Sequence, residues 1–407
     1  MASLQACSAR AARGPGKLCA ATLLLSRTSW LLKGGLSSAR NRGTDFSSRC
    51  TMVTAVRPGA MIQGCRSRSN LAPRPAFSAM GMRQKARAMA SQAGLSQSER
   101  FLFDLNGFLV VRGVFSAEEV AAANAAIDSH AAKMMPRDAE ALRNARAATP
   151  FSAQGPRLDM GGMLQWPKPD CEFFRNVLTH PRLVPYYTAL CGEGYRLDHQ
   201  PLVIAQGRDS EGFSLHGGPL GSRGELNPEL QYRCWNGEFW NSLLGASVQL
   251  VDHNAGDGGF CVIRGSHKLN LAVPDSFANA LDPAFADHAY QPVTKAGDVV
   301  IFSEATVHGA TPWRSDRQRR IALYRFSPAN MGYGRGYLEV PQSVLEDMTP
   351  LQRAVLAPPY STRLERPVVT PESAERDAVQ PGGEASFKAR SGPKKELDRA
   401  IFGTTYF

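Results

Sequence analysis

The chain has 407 residues, 43% hydrophobic and 20% charged, a globular balance that excludes a disordered or collagen-like polymer and allows one large domain or two ordinary ones. Its net charge of +11 is concentrated: residues 1–94 carry 15 Lys/Arg against one acid, Asp45 (+14), and the remainder has 32 basic and 35 acidic residues (−3). The charge therefore gives no support to nucleic-acid binding by the folded body.

Residues 1–94 are rich in Ser, Arg, Ala and Gly and almost free of acids. That is the composition of a mitochondrial or plastid transit peptide, with a disordered basic tail and cytoplasmic residence as the alternative. The apolar run from Leu18 to Leu32 is broken by Ser26 and Arg27 and is too short to span a bilayer. Four cysteines follow the leader: Cys171, Cys191, Cys234 and Cys261. They form no C-x-x-C pair, which excludes a zinc ribbon or disulfide framework and fits a reducing compartment.

A single domain is expected over 95–360. Phe108–Val111 reads as a short strand, and Ser116-Ala-Glu-Glu119 as a capping box opening a helix to about Lys133. A polar, irregular stretch runs to about Met163. Asp170 is placed as the cap of an amphipathic run through Leu178, which Pro181 restarts and Gly192 ends. From Leu202 the texture changes to short β-rich segments between Gly, Asp and Asn turns: Leu202–Ala205, Ala246–Val251, Gly259–Ile263, Asp298–Ser303 and Arg320–Phe326. With no helix between most pairs, these predict an antiparallel barrel or jelly roll, mainly β with flanking helices (α+β). Thr349-Pro350 with Gln352 opens a late helix. Residues 361–407 read as a Pro- and charge-rich extended tail whose closing aromatic patch, Ile401-Phe402 and Tyr406-Phe407, is placed to dock back.

The chain has eight histidines and lacks G-x-x-x-x-G-K-[ST], G-x-S-x-G and H-E-x-x-H, arguing against nucleotide hydrolases, α/β-hydrolases and zincins. A spaced set remains. Phe213-Ser-Leu-His216-Gly-Gly218 precedes the barrel strands, Gly297-Asp-Val-Val-Ile-Phe302 leads into His308-Gly-Ala, and Arg319-Arg320 begins the last strong strand. Two histidines 92 residues apart meet only if the fold joins their strands, as a jelly roll does. Non-heme iron suits paired imidazoles that leave other coordination positions open. An Arg eleven residues after the second His offers a planar fork for a carboxylate. His130, His180, His199 and His288 are given no role, and His267 is expected to brace its loop.

From about residue 97 to 360 these blocks resemble the phytanoyl-CoA dioxygenase family. Gly107-Phe-Leu-Val-Val-Arg-Gly-Val-Phe-Ser-Ala-Glu-Glu119 is similar to its entry strand and helix. Arg264-Gly-Ser-His267-Lys resembles its P-G-S-H-K turn, and Gly297–Phe302 with His308 its distal-histidine strand. The resemblance implies a double-stranded β-helix with Fe(II) held by His216 and His308, and 2-oxoglutarate held by the metal and Arg319. It also implies O2-dependent oxidative decarboxylation linked to hydroxylation of a small or lipid-like substrate. Trp240 and Gln249 are secondary candidates for touching 2-oxoglutarate, and Arg320 is the fallback for Arg319, with a surface ion pair to Asp316 as its plainer role.

One position departs from the family. Its H-x-D pair would be His216 and Gly218 here, and glycine supplies no ligand. Three outcomes follow. A remote carboxylate, Asp257 or Glu211, completes the site of a hydroxylase; the place left by Gly218 holds halide, as in iron/2-oxoglutarate halogenases; or the barrel is a non-catalytic binding protein. The Gly217-Gly218-Pro219 run also allows a turn in place of a regular strand.

Overall fold

The computed structural model describes residues 95–145, 148–333, 340–359, 369–376 and 392–403. The leader 1–94 and the terminal pair Tyr406-Phe407 lie outside the described residues. Helix α1 (Gln97–Asn106) stands ahead of the first expected strand, opened by a Ser96/Glu99 capping box. β1 (Phe108–Val111) follows, and α2 (Ala117–Ser129) begins at the expected Ser116/Glu119 box, continuing as a 3-10 turn to Lys133.

The stretch expected to be irregular holds two strands, β2 (Met135–Pro136) and β3 (Leu158–Gly161). Asp170 caps no helix. The next helix, Glu172–Asn176, has Cys171 at its cap, while Asp170 pairs with His130 and accepts from Ser129. A helix over Val184–Cys191 ends at Gly192 as expected.

The remaining strands are β4 (Arg196–Leu197), β5 (Leu202–Gln206), β6 (Phe213–His216), β7 (Tyr232–Trp235), β8 (Glu238–Asn241), β9 (Leu244–Gln249), β10 (Gly259–Ile263), β11 (Ala289–Tyr290), β12 (Val299–Ser303), β13 (His308–Thr311) and β14 (Arg319–Ser327). They form an eight-stranded sheet, ordered β1-β12-β9-β14-β5-β3-β2 with β4 on β14, facing a four-stranded sheet, β11-β10-β13-β6. Every pairing in both is antiparallel, the jelly roll expected from the sequence. β7 and β8 make a separate hairpin.

Strand alternation decides which side chains see the interior. Val299 and Ile301 of β12, Ala246 and Val248 of β9, and Tyr324 and Phe326 of β14 pack outward under the helices. Val300 and Phe302, with Ile321 and Leu323, face the second sheet. β12 is buried on both faces and therefore reads as an unbroken apolar run. Each such side chain contributes about 1.5–3 kcal/mol, so these strands hold both layers to the sheet.

The late helix occupies Pro350–Leu356 with its Thr349/Gln352 box. The C-terminal segment is not simply extended: helices lie at Pro371–Arg376 and Gly392–Phe402. No helix of the described residues is long and apolar enough to cross a membrane.

Candidate metal centre

β6 ends at His216, β13 begins at His308, and the two residues are directly opposed across an antiparallel pair. Their ring centroids are 4.2 Å apart. Nδ1 of His216 lies 3.2 Å from the Ser214 carbonyl oxygen and Nδ1 of His308 2.7 Å from that of Thr306. A carbonyl only accepts, so each Nδ1 carries the proton and each Nε2 keeps a lone pair for a metal. Burial, then the neighbouring His308, pushes His216 down to about 3; burial likewise lowers His308. Both rings are therefore neutral at pH 7, the form that ligates.

The third group is Glu304. Its Oε2 lies 3.6 Å from His308 Nε2, and one ligand atom each from His216, Glu304 and His308 fall within 4.8 Å of one another. Among the described residues this is the sole such cluster of three or more His, Cys, Asp or Glu. Burial by itself would raise the Glu304 carboxyl. Arg325, donating from Nε to Oε1 at 2.6 Å, outweighs it and holds the group below the usual carboxylate range. Two neutral imidazoles and one carboxylate are the donor set of a non-heme iron site with open positions.

Glu304 reaches this place because the loop between β12 and β13 is pinned at nearly every residue. Glu304 N donates to Leu243 O (3.0 Å), Thr306 N to Ser303 O (2.9 Å) and Thr306 Oγ1 to Gly107 O (3.0 Å). Ser266, in the turn that resembles P-G-S-H-K, donates to Ile263 O and accepts from Val307 N at 2.7 Å. That motif thus braces the loop carrying Glu304 and His308. His267 also braces, with Nε2 3.0 Å from Asp104 O.

The expected corner at Gly218 is built differently. The strand stops at His216, and Gly217 and Gly218 both have left-handed backbone, φ 90° and 94°. The every-second-residue rule that makes H-x-D share a face therefore does not apply. A Cβ at 218 would meet Val307 Cγ2 at 3.5 Å and Leu220 O at 3.7 Å, with neither imidazole nor the Glu304 carboxylate within 4 Å. Gly218 N donates to Ala305 O (3.0 Å), tying the turn to the loop that bears Glu304.

The imidazoles open onto a cavity of about 250 Å³ between the sheets. The odd residues of β14, from Arg319 through Ile321 and Leu323 to Arg325, line it. Arg319 is 3% exposed; its Nη1 donates to Gln206 Oε1 at 2.6 Å and its Nε has no partner. Gly259 makes room for it, since a Cβ there would lie 2.8 Å from that Nε. Burial, then Arg157, lowers Arg319 to about 9, so it stays cationic at neutral pH. A buried cation without an anion is costly, and the cost is relieved when a carboxylate arrives. Arg320 points the other way, to Asp128 at 2.7 Å and Asn124, and Asp316 pairs with Arg208.

The other candidates stand elsewhere. Asp257 closes a turn, accepting from Asn254 N and Arg317 Nη2, and is not part of the cluster. Glu211 is committed to Arg143 and Asn144 N. Trp240 sits on the β7–β8 hairpin with Arg233 5.1 Å above its ring, away from the cavity lining. Gln249 lies behind Ser247, to whose carbonyl and hydroxyl it donates; Ser247 itself lines the cavity. Glu304 and Arg325 were not marked from the sequence. Glu304-Ala-Thr-Val-His308 directly after an apolar strand, and Arg325 six residues past Arg319 on the same strand face, were the available signals.

A family model described as phytanoyl-CoA dioxygenase (PhyH) matches residues 229–321, which include Glu304, His308 and Arg319. That stretch is similar to the phytanoyl-CoA dioxygenase family. No curated protein sequence matches the chain. Similar solved structures include HygX from Streptomyces hygroscopicus with nickel, 2-oxoglutarate and hygromycin B bound (20% identity, TM-score 0.46, 59% of this chain and 90% of that one). The epimerase SnoN from nogalamycin biosynthesis gives 20% identity and TM-score 0.41 over 58% and 85%. EctD from S. alaskensis, with 2-oxoglutarate and 5-hydroxyectoine, gives 21% and 0.41 over 58% and 77%. His216 lies outside the PhyH-matched residues, and it is the β6–β13 pairing that brings it to the centre.

Proposed function

We propose that the protein is an Fe(II)- and 2-oxoglutarate-dependent dioxygenase that hydroxylates a small organic substrate, with His216, Glu304 and His308 as the metal ligands. The observation that carries this is the convergence of two Nε2 lone pairs and an ionised carboxylate on one point, with both imidazoles on the wall of the cavity that Arg319 also lines. The iron, when bound, supplies oxygen activation at the expense of 2-oxoglutarate. Arg319 takes the distal carboxylate of that co-substrate and Gln206 holds its guanidinium in plane. Ser214 and Thr306 fix the imidazole tautomers, and Arg325 keeps Glu304 ionised and aimed. Phe260 and Phe302, beside His308, exclude water from the reacting face.

Glu304 favours hydroxylation over halogenation, because it supplies the carboxylate whose absence would leave room for halide. Anaerobic addition of Fe(II) and 2-oxoglutarate should give visible metal-to-ligand charge-transfer absorption, and air should then yield succinate. Absence of both leaves only the binding-protein alternative. Succinate formation that requires chloride, with chlorinated product, would favour the halogenase.

A further inference from the structure

The cavity is more cationic than a dicarboxylate co-substrate requires. Four guanidinium groups line it, from Arg137, Arg157, Arg319 and Arg325. Two carboxylates answer them. Asp159 accepts from Arg137 Nε at 2.5 Å and from Arg157 Nε and Nη2, both at 2.8 Å, and Glu304 accepts from Arg325. Arg143 and Glu211 pair with each other and cancel. Four positive charges less two negative leave +2. A divalent ion adds +2 and a dicarboxylate −2, so the loaded cavity still carries +2. In a low-dielectric cavity that surplus selects an anion.

The unused donors identify where it sits. Arg157 is 9% exposed and spends Nε and Nη2 on Asp159, leaving Nη1. Arg137 spends Nε on Asp159 and Nη1 on Asn144 Oδ1, leaving Nη2. Asn144 Nδ2 is buried without a partner. All three residues line the cavity together with the apolar Ile204, Phe213, Phe260 and Ile321. The buried, unpartnered Asn144 Nδ2 is costly unless a ligand satisfies it, and the spare guanidinium nitrogens of Arg157 and Arg137 lie on the same cavity.

The geometry points to an amphiphilic oxyanion as primary substrate, a carboxylate or phosphate ester on an apolar body, with its head held by Arg157, Arg137 and Asn144 and its body lying toward His216 and His308. The assignment rests on the oxygenase reading above. Its test uses the protein loaded anaerobically with Fe(II) and 2-oxoglutarate and titrated calorimetrically with hexanoate, hexyl phosphate and uncharged hexanamide. At least one anion should bind tenfold or more tighter than the amide, and the better of the two identifies the head group. R157Q and R137Q should each lower that preference at least fivefold, and R157K, which keeps the charge, should retain most of it. Equal binding of the amide and both anions by the unaltered protein overturns the inference, as does a preference that survives both Gln variants. The charge-transfer absorption separates the two claims. If it forms normally without anion preference, only the substrate assignment falls; if it never forms, the oxygenase reading fails and takes this inference with it.

Discussion

Replacing Glu304 by alanine removes a direct ligand and should be the most damaging single change at the centre. Outer-shell groups at metal sites are worth about 10–100-fold in affinity, so loss of a first-sphere carboxylate should weaken Mn(II) or Fe(II) binding by more than about 100-fold. Folding is affected separately, because Arg325 is left without its anion. Breaking a buried ion pair costs about 3–5 kcal/mol, and the 20% exposure of the Arg325 side chain brings the expectation to about 2 kcal/mol. E304A/R325M removes both charges, and should regain most of the stability without regaining metal. E304A/G218D should not regain metal either, because position 218 lies in a left-handed turn beside Val307 rather than on the strand face of His216. Metal affinity is read by titration with Mn(II) followed by magnetic resonance, and stability by urea unfolding. Wild-type affinity in E304A, or recovery in E304A/G218D, would show that the third ligand is elsewhere.

R319M should abolish 2-oxoglutarate binding while retaining metal, and should raise the stability of the ligand-free protein by about 1–2 kcal/mol because it removes a buried cation lacking an anion; thermal unfolding with and without 2-oxoglutarate checks both. G217A should destabilise by about 3 kcal/mol and weaken metal binding, since its Cβ would sit 2.5 Å from Thr306 O and 2.8 Å from Glu304 O at positive φ; an unchanged melting temperature contradicts this. Because His216 titrates at about 3, metal affinity should be nearly flat from pH 8 to 5, where an exposed bis-histidine site loses it through pH 6.5. The same depressed value means that the unfolded chain binds more protons below pH 6.5. Stability of the metal-free protein should therefore fall by about 1–2 kcal/mol between pH 6.5 and 5, measurable by urea titration at each pH. Residues 1–94 fused to a fluorescent protein should direct it to mitochondria or plastids, and a diffuse signal would count against a targeting role.

The strand pattern made the barrel legible because β9, β10, β12 and β14 combine apolar runs with turn residues at both ends. β3 was hidden in a polar stretch: Leu158-Asp-Met-Gly alternates, yet it is too short and acidic to announce a strand. The histidine pair and Arg319 were legible because each sits at a strand end within a recognisable block. Glu304 was not: the H-x-D pattern points to position 218, where the backbone has left the strand, and Asp257 and Glu211 offered themselves as remote carboxylates in its place. Glu304 comes instead from the partner strand's entry loop, four residues before His308, a placement set by hydrogen bonds that the loop donates to Leu243 O, Gly107 O and Ser266 Oγ. Arg325 became meaningful only once Glu304 was in place.

The most direct test is an iron-edge anomalous difference map from crystals grown without oxygen in Fe(II) and 2-oxoglutarate. The account predicts a single peak bonded to Nε2 of His216, Nε2 of His308 and a Glu304 oxygen, with the co-substrate's far carboxylate on Arg319. A peak at any other set of side chains, or one whose carboxylate ligand is not Glu304, would contradict it.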